Sequence, residues 1–107
     1  MQLCSGDMLL EALVACAGVT LSAVATALEI EITTGLVKAE GDLDFRGTLG
    51  VNKEVPVGFQ NIRLFFEIKT NASDDKIESL LKLTERYCVV YQTLKNGANV
   101  TTSIKVN

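Results

Sequence analysis

Between Met8 and Leu28 the chain carries one charged residue, Glu11. A run this long and this apolar constrains the fold severely. It must either enter a membrane or become a buried helix around which the remaining residues are arranged. Asp7 offers an N-cap, and Ala and Leu dominate the interior, so residues 7 to 28 are predicted as one helix. At the usual rise such a helix is about 33 Å long, enough for a bilayer as well as for a core.

Two sequence features bear on that choice. Leu13-Val14-Ala15-Cys16 has the look of a bacterial lipoprotein cleavage site, but no Lys or Arg precedes Cys16, so the positive leader region is missing. Asp7 and Glu11 interrupt the short apolar run, and the stretch favours Ala, Thr, Ser and Gly over Leu, Ile and Phe. The expectation is a cytoplasmic protein without membrane insertion. Its helix is buried on most sides, and its small residues admit a second helix at close range.

The 107 residues suffice for a single domain, 1–107, with a real core. Hydrophobic residues at 48% and charged residues at 21% describe a globular chain rather than a disordered one. A net charge of −3 with no basic stripe argues against nucleic acid as a partner. Histidine is absent, which removes a His-based triad, a His general base and most zinc or haem sites. The three cysteines lack CxxC spacing and, without histidine, make a poor metal set, and an odd count fits a secreted disulfide framework poorly. The sequons at Asn71 and Asn99 are short enough to arise by chance.

Beyond the helix the periodicity changes from helical to alternating. Leu28, Ile30 and Ile32 alternate with Glu29 and Glu31; Val37, Ala39, Gly41, Leu43 and Phe45 alternate with charged neighbours from Lys38 to Arg46. These read as two half-buried antiparallel strands. Residues 46 to 60, with Gly47, Gly50, Pro56 and Gly58, read as a loop. Ile62, Leu64, Phe66 and Ile68 mark a third strand; Val100, Thr102, Ile104 and Val106 mark a fourth. Between them a second helix starts near Asp74, capped by Ser73 or by Asp75 with Glu78 three residues on. Its apolar face runs Ile77, Leu80, Leu81, Tyr87 and Cys88, and Asn96-Gly97 turns the chain into the last strand. The predicted order is α-β-β-β-α-β, an α+β domain with helices packed on a mainly antiparallel sheet.

Cys16 and Cys88 are the chemically interesting residues, one on each helix. A cysteine in an apolar helix is ordinarily a small core residue. A reactive one needs a cation, a helix N-terminus or a hydrogen-bond donor beside it to form thiolate. Cys16 lies about nine residues into its own helix, beyond the reach of that helix's first-turn dipole. It would need an arginine from elsewhere, and Arg46, Arg63 and Arg86 are the available ones; periodicity does not select among them, and each is ordinarily a solvated surface charge.

Four segments in order resemble one known family. Asp7-Met-Leu-Leu-Glu-Ala-Leu-Val-Ala-Cys16-Ala-Gly-Val-Thr20 is similar to the helix motif of the OsmC/Ohr thiol peroxidases. Glu40-Gly-Asp-Leu-Asp44 and Val55-Pro-Val-Gly-Phe-Gln60-Asn-Ile62 are similar to its strand and loop, and Arg86-Tyr-Cys88-Val-Val-Tyr-Gln-Thr93-Leu94 to its second cysteine motif. The resemblance implies an intertwined homodimer whose long central helices are wrapped by sheets, with a thiol site that needs no metal or bound cofactor. It implies that Cys16 is the peroxidatic thiol, attacking the O–O bond of an organic hydroperoxide, and that Cys88 resolves the sulfenic acid as a disulfide. An external dithiol reductant then restores both thiols. Cys4 matches no family position and reads as a bystander.

The sequence departs from the family pattern in three places. It opens just before the first helix, whereas the family usually carries several N-terminal strands there, which normally supply the arginine that activates the thiol. The glutamate that holds that arginine would fall at Gly6, leaving the adjacent Asp7 as a substitute. Val89 stands where the family has proline after the second cysteine. The candidate catalytic set implied is Cys16 and Cys88 with Asp7, Arg63 and Arg86 as further candidates. The rival expectation is a non-catalytic dimeric binding or structural protein that keeps the cysteine pair for packing. A homodimer also follows from the helix itself, because one layer of four strands cannot cover a helix apolar on nearly all faces.

Overall fold

The computed structural model describes residues 5–106. The chain folds in the order α1 (Ser5–Ala27), β1 (Ile32–Leu43), α2 (Phe45–Thr48), β2 (Phe59–Thr70), α3 (Asp74–Tyr87) and α4 (Val89–Asn96). It is an α+β arrangement in which β1 and β2 form one antiparallel hairpin, α1 packs against β1, and α3 and α4 pack against α1 and each other.

By length and composition α1 is able to cross a membrane. Here Leu13, Ala17, Leu21 and Ala25 form its buried stripe at i, i+4 spacing, the ridge that packs into a neighbouring groove. The opposite face keeps Met8 and Val19 exposed, at 63% and 73%. Its end is a left-handed cap. Glu29 takes φ 56, the Ile30 N–H donates to the Ala25 carbonyl, and the Glu29 N–H donates to the Thr26 carbonyl. Ile30 then packs in the same apolar cluster as Ala25, completing a Schellman motif.

This cap corrects the first expected strand. Leu28 and Ile30 are spent on terminating α1, so the alternation from Leu28 to Ile32 is not a strand, and β1 begins only at Ile32. The hairpin itself follows the pattern seen in the sequence. Val37 pairs with Phe66, Ala39 with Leu64 and Gly41 with Ile62, all turned inward, while Lys38, Glu40, Asp42 and Arg63 face outward. A Cβ on Gly41 would lie 2.6 Å from the Phe59 ring, so only glycine lets β1 pass beneath that ring. Phe45 leaves the strand alternation and starts α2, which Asp44 caps by accepting from the Arg46 N–H.

Two further expectations are corrected. Residues 100 to 106 form no strand; Val100, Ile104 and Val106 are 81%, 90% and 85% exposed. Period-two patterning assigns faces, but a strand also needs a ladder partner, and neither edge of the hairpin takes this segment. The second helix is two helices broken at Cys88, with Ser73 as its N-cap rather than Asp75. Its buried stripe is Leu80, Thr84 and Cys88, again at i+4, while Leu81 and Tyr87 from the expected apolar face are exposed. The core falls into two clusters joined by Phe66: Leu21, Ala25, Ile30 and Leu80 at one end, and Leu13, Ala17 and Cys88 at the other.

Candidate functional site

The second cluster is built where the middle of α1 meets the break between α3 and α4. Cys88 occupies that break. Its N–H donates to the Thr84 carbonyl and closes α3, and its carbonyl accepts from the Gln92 N–H and opens α4. With φ −76 and ψ 110 it is extended, which turns the chain between the helices. Cys88 is thereby the N-cap residue of α4, yet its side chain makes no capping bond there. The thiol instead donates to Cys16 Sγ at 3.3 Å. Both cysteines are free thiols, Cys16 half-buried and Cys88 buried.

The Cys16 thiol is held below its ordinary pKa. The Val90 N–H contributes most, burial opposes it, and the Cys88 thiol and the Val89 N–H follow. Thr20 contributes last, and its single hydroxyl hydrogen is already given to the Cys16 carbonyl at 2.8 Å, so the Val90 amide leads, with the Cys88 thiol and the Val89 amide behind it. These amides are the first of α4 and have no acceptor within their own helix. Together with the positive end of the α4 dipole they are a thiolate-stabilising group. Burial pushes the Cys88 thiol up, and its bond to Cys16 adds to that, so Cys16 is the first of the pair to lose its proton. Two thiols in contact are therefore shifted apart, with Cys16 the better nucleophile.

The expectation that Cys16 needs an arginine is thus met differently. The dipole of its own helix is out of reach, but α4 brings its N-terminus to the sulfur. The other candidates lie elsewhere. Arg63 is bound by Glu40 at 2.7 Å and Asp42 at 2.8 Å on the outer face of the hairpin. Arg46 pairs with Asp44 at 2.6 Å, and Arg86 stacks on Tyr87, 5.6 Å from the ring centroid. Asp7 lies in the first turn of α1, about 13 Å along the axis from Cys16. Cys4 lies outside the described residues. No cluster of His, Cys, Asp or Glu able to hold a metal occurs among the described residues.

Sequence reasoning missed the Val89 and Val90 amides, which no side-chain pattern marks. It also missed Glu85 and Tyr91, which bond across the break at 2.9 Å. A cavity of about 570 Å³, lined by neither cysteine, has Leu13, Ile62, Leu64 and Phe66 as its apolar wall and Glu85 and Lys95 among its polar groups. Leu13, which also packs against Cys88, links the cavity to the sulfurs.

The family model described as OsmC-like protein matches residues 2–103. Among solved structures, an OsmC-like protein from Mycoplasma pneumoniae superposes with a TM-score of 0.73 at 24% identity, over 84% of this chain and 60% of that one. An OsmC-like hydroperoxide resistance protein from Jannaschia sp. CCS1 superposes with a TM-score of 0.67 at 17% identity, over 89% of this chain and 61% of that one. At these identities the likeness is one of fold, and the chain spans about three-fifths of the length of both. No curated protein matches the chain.

Proposed function

This chain belongs to the OsmC-like protein family, and we propose that it acts as a cytoplasmic, homodimeric thiol peroxidase that reduces organic hydroperoxides. The observation that carries this reading is the 3.3 Å approach of Cys88 Sγ to a Cys16 sulfur seated at the start of α4. The naming of the Jannaschia relative as a hydroperoxide resistance protein supports it.

In this reaction the Cys16 thiolate attacks one oxygen of the hydroperoxide. A sulfur–oxygen bond forms, the O–O bond breaks, and the alkoxide leaves and takes a proton to become an alcohol. Cys16 is left as a sulfenic acid. Cys88 then attacks the Cys16 sulfur: the disulfide forms, the sulfur–oxygen bond breaks, and hydroxide leaves as water with the Cys88 proton. An external dithiol reduces the disulfide by exchange and becomes oxidised itself. The α4 amides stabilise the attacking thiolate, which replaces the arginine role without any charged side chain.

A homodimer is supported by the uncovered face of α1 and by shape. The radius of gyration is 17.4 Å, against about 13 Å for a compact chain of this length. A second copy laid on Met8, Val19 and the small residues between them would remove that apolar surface from water.

A binding role without catalysis is favoured by one observation, the cavity that Leu13 joins to the Cys88 cluster. Treating the reduced protein with cumene hydroperoxide and mapping its disulfides separates the readings. Rapid, stoichiometric Cys16–Cys88 bridging that Cys16→Ser abolishes supports the peroxidase. A Cys16 that stays reduced, or reacts no faster than Cys4, refutes it and leaves the binding role.

A further inference from the structure

The break between α3 and α4 is bridged by Glu85 before Cys88 and by Tyr91 and Gln92 after it. From the last turn of α3, the Glu85 carboxylate accepts from the Tyr91 hydroxyl at 2.9 Å. The Glu85 carbonyl accepts from the Gln92 side-chain amide at 2.7 Å, which also satisfies a carbonyl that the end of α3 leaves without a helical partner. All three residues are half-buried. Tyr91 is the third residue of α4, so the bridge acts within the same turn that presents Val89 and Val90.

We propose that Glu85 is a positioning residue for Cys16: by holding Tyr91 across the Cys88 break it sets the direction of α4, so that the Val89 and Val90 N–H groups face the Cys16 sulfur. The inference rests on the reading of Cys16 as the nucleophile and names what orients its activating group. An eight-residue helix is marginal alone, and this one has no side-chain cap at its N-terminus, so its direction depends on tertiary contacts. Hydrogen bonding to a sulfur is steeply angular, and a small swing of α4 about Cys88 would move both donors off it.

The surroundings of Cys16 leave few other ways to tune it. Thr20 faces it from α1, and Val89, Val90 and Cys88 from the start of α4. The side chains that β1 and β2 pack into the cluster are apolar, among them Val37, Ala39, Ile62 and Leu64. Glu85 and Lys95 stand at the adjoining cavity. The bond to Glu85 keeps the Tyr91 phenol protonated and donating.

Charge and position give opposite signs, which makes the inference testable. A carboxylate near a thiolate disfavours it by Coulomb repulsion, so removing the Glu85 charge alone would lower the Cys16 pKa. Losing the clamp would raise it. The measurement is the pH dependence of Cys16 alkylation in the reduced full chain, read peptide by peptide by mass spectrometry. Glu85→Ala and Tyr91→Phe are expected to raise the Cys16 pKa by about one unit, lowering its thiolate fraction roughly tenfold at a pH below both values. Glu85→Gln keeps an oxygen acceptor for Tyr91 and is expected to stay at or slightly below the unsubstituted value. An unchanged or lowered pKa in Glu85→Ala overturns the proposal. Tyr91→Phe retains the ring and its packing, so the test survives if Glu85→Ala does not fold. There too, an unchanged pKa overturns it. Bridging by cumene hydroperoxide in the unsubstituted chain tests the peroxidase reading separately. Shifted pKa values without bridging leave the clamp standing and the peroxidase reading refuted; bridging with unshifted values does the reverse.

Discussion

Cys88 Sγ lies 3.3 Å from Cys16 Sγ and donates to it, although 72 residues separate them in the chain. One residue therefore has two tasks. Cys88 breaks α3 from α4, and by that break it delivers both a protonated partner and a helix N-terminus to the same sulfur. The Val89 position gains meaning here. Proline there would have no N–H, whereas valine offers one that helps hold the Cys16 thiol down.

The first prediction concerns the order of events. Cys88→Ser removes the partner thiol and leaves a hydroxyl in the same small volume. After cumene hydroperoxide, Cys16 in this variant should accumulate as sulfenic acid and be labelled by dimedone, with no intramolecular disulfide. Failure to label Cys16 at all would mean that the first step does not occur.

Stability should depend on pH through the same pair. The folded pKa of Cys16 is lowered, so its contribution is present above the unfolded thiol value of about 8.5 and is lost as pH falls through the folded value. Cys88 is raised, so its contribution is present below that unfolded value and is lost as pH rises through its folded one. Urea unfolding of the reduced protein should show stability rising with pH towards about 8.5 and falling beyond it. Cys16→Ser should remove the rising limb. A flat profile across that range would contradict the assignment.

Glu29 carries the left-handed cap of α1 at φ 56. Glycine adopts this conformation without a Cβ penalty, so Glu29→Gly should raise stability by about 1 kcal/mol, less any entropy gained by the unfolded chain. The urea midpoint checks this, and a lower midpoint would show that the glutamate makes a compensating contact.

Arg63 offers a control on how Cys16 is activated. It is bound to Glu40 and Asp42 on the exposed face of the hairpin. Arg63→Ala should leave the rate and pH dependence of Cys16 alkylation unchanged and move the urea midpoint little, since exposed ion pairs are screened by water. A large fall in Cys16 reactivity would return Arg63 to the site.

Much of the hairpin was legible in the sequence because alternation assigns faces directly, and Val37, Ala39, Gly41, Leu43, Ile62, Leu64, Phe66 and Ile68 all turn inward as their spacing requires. The same rule misled at both ends. Leu28 to Ile32 alternates but closes a helix, and Val100 to Val106 alternates but finds no ladder. Alternation reports which residues want burial. It does not report whether a neighbour's hydrogen bonds are within reach.

By itself, then, the sequence determined the long α1 helix, the hairpin faces, the start of α3 near Asp74 and the two cysteines as the residues of interest. These follow from local propensity and periodicity, which act over a few residues. Only the tertiary structure decided that α3 stops at Cys88, that Glu85 and Tyr91 hold the break, and that Cys16 is served by backbone amides rather than by Arg63 or Arg86. Backbone donors carry no side-chain signature, and their effect on a sulfur depends on direction across a long chain separation. That direction exists only once α1, α3 and α4 have packed.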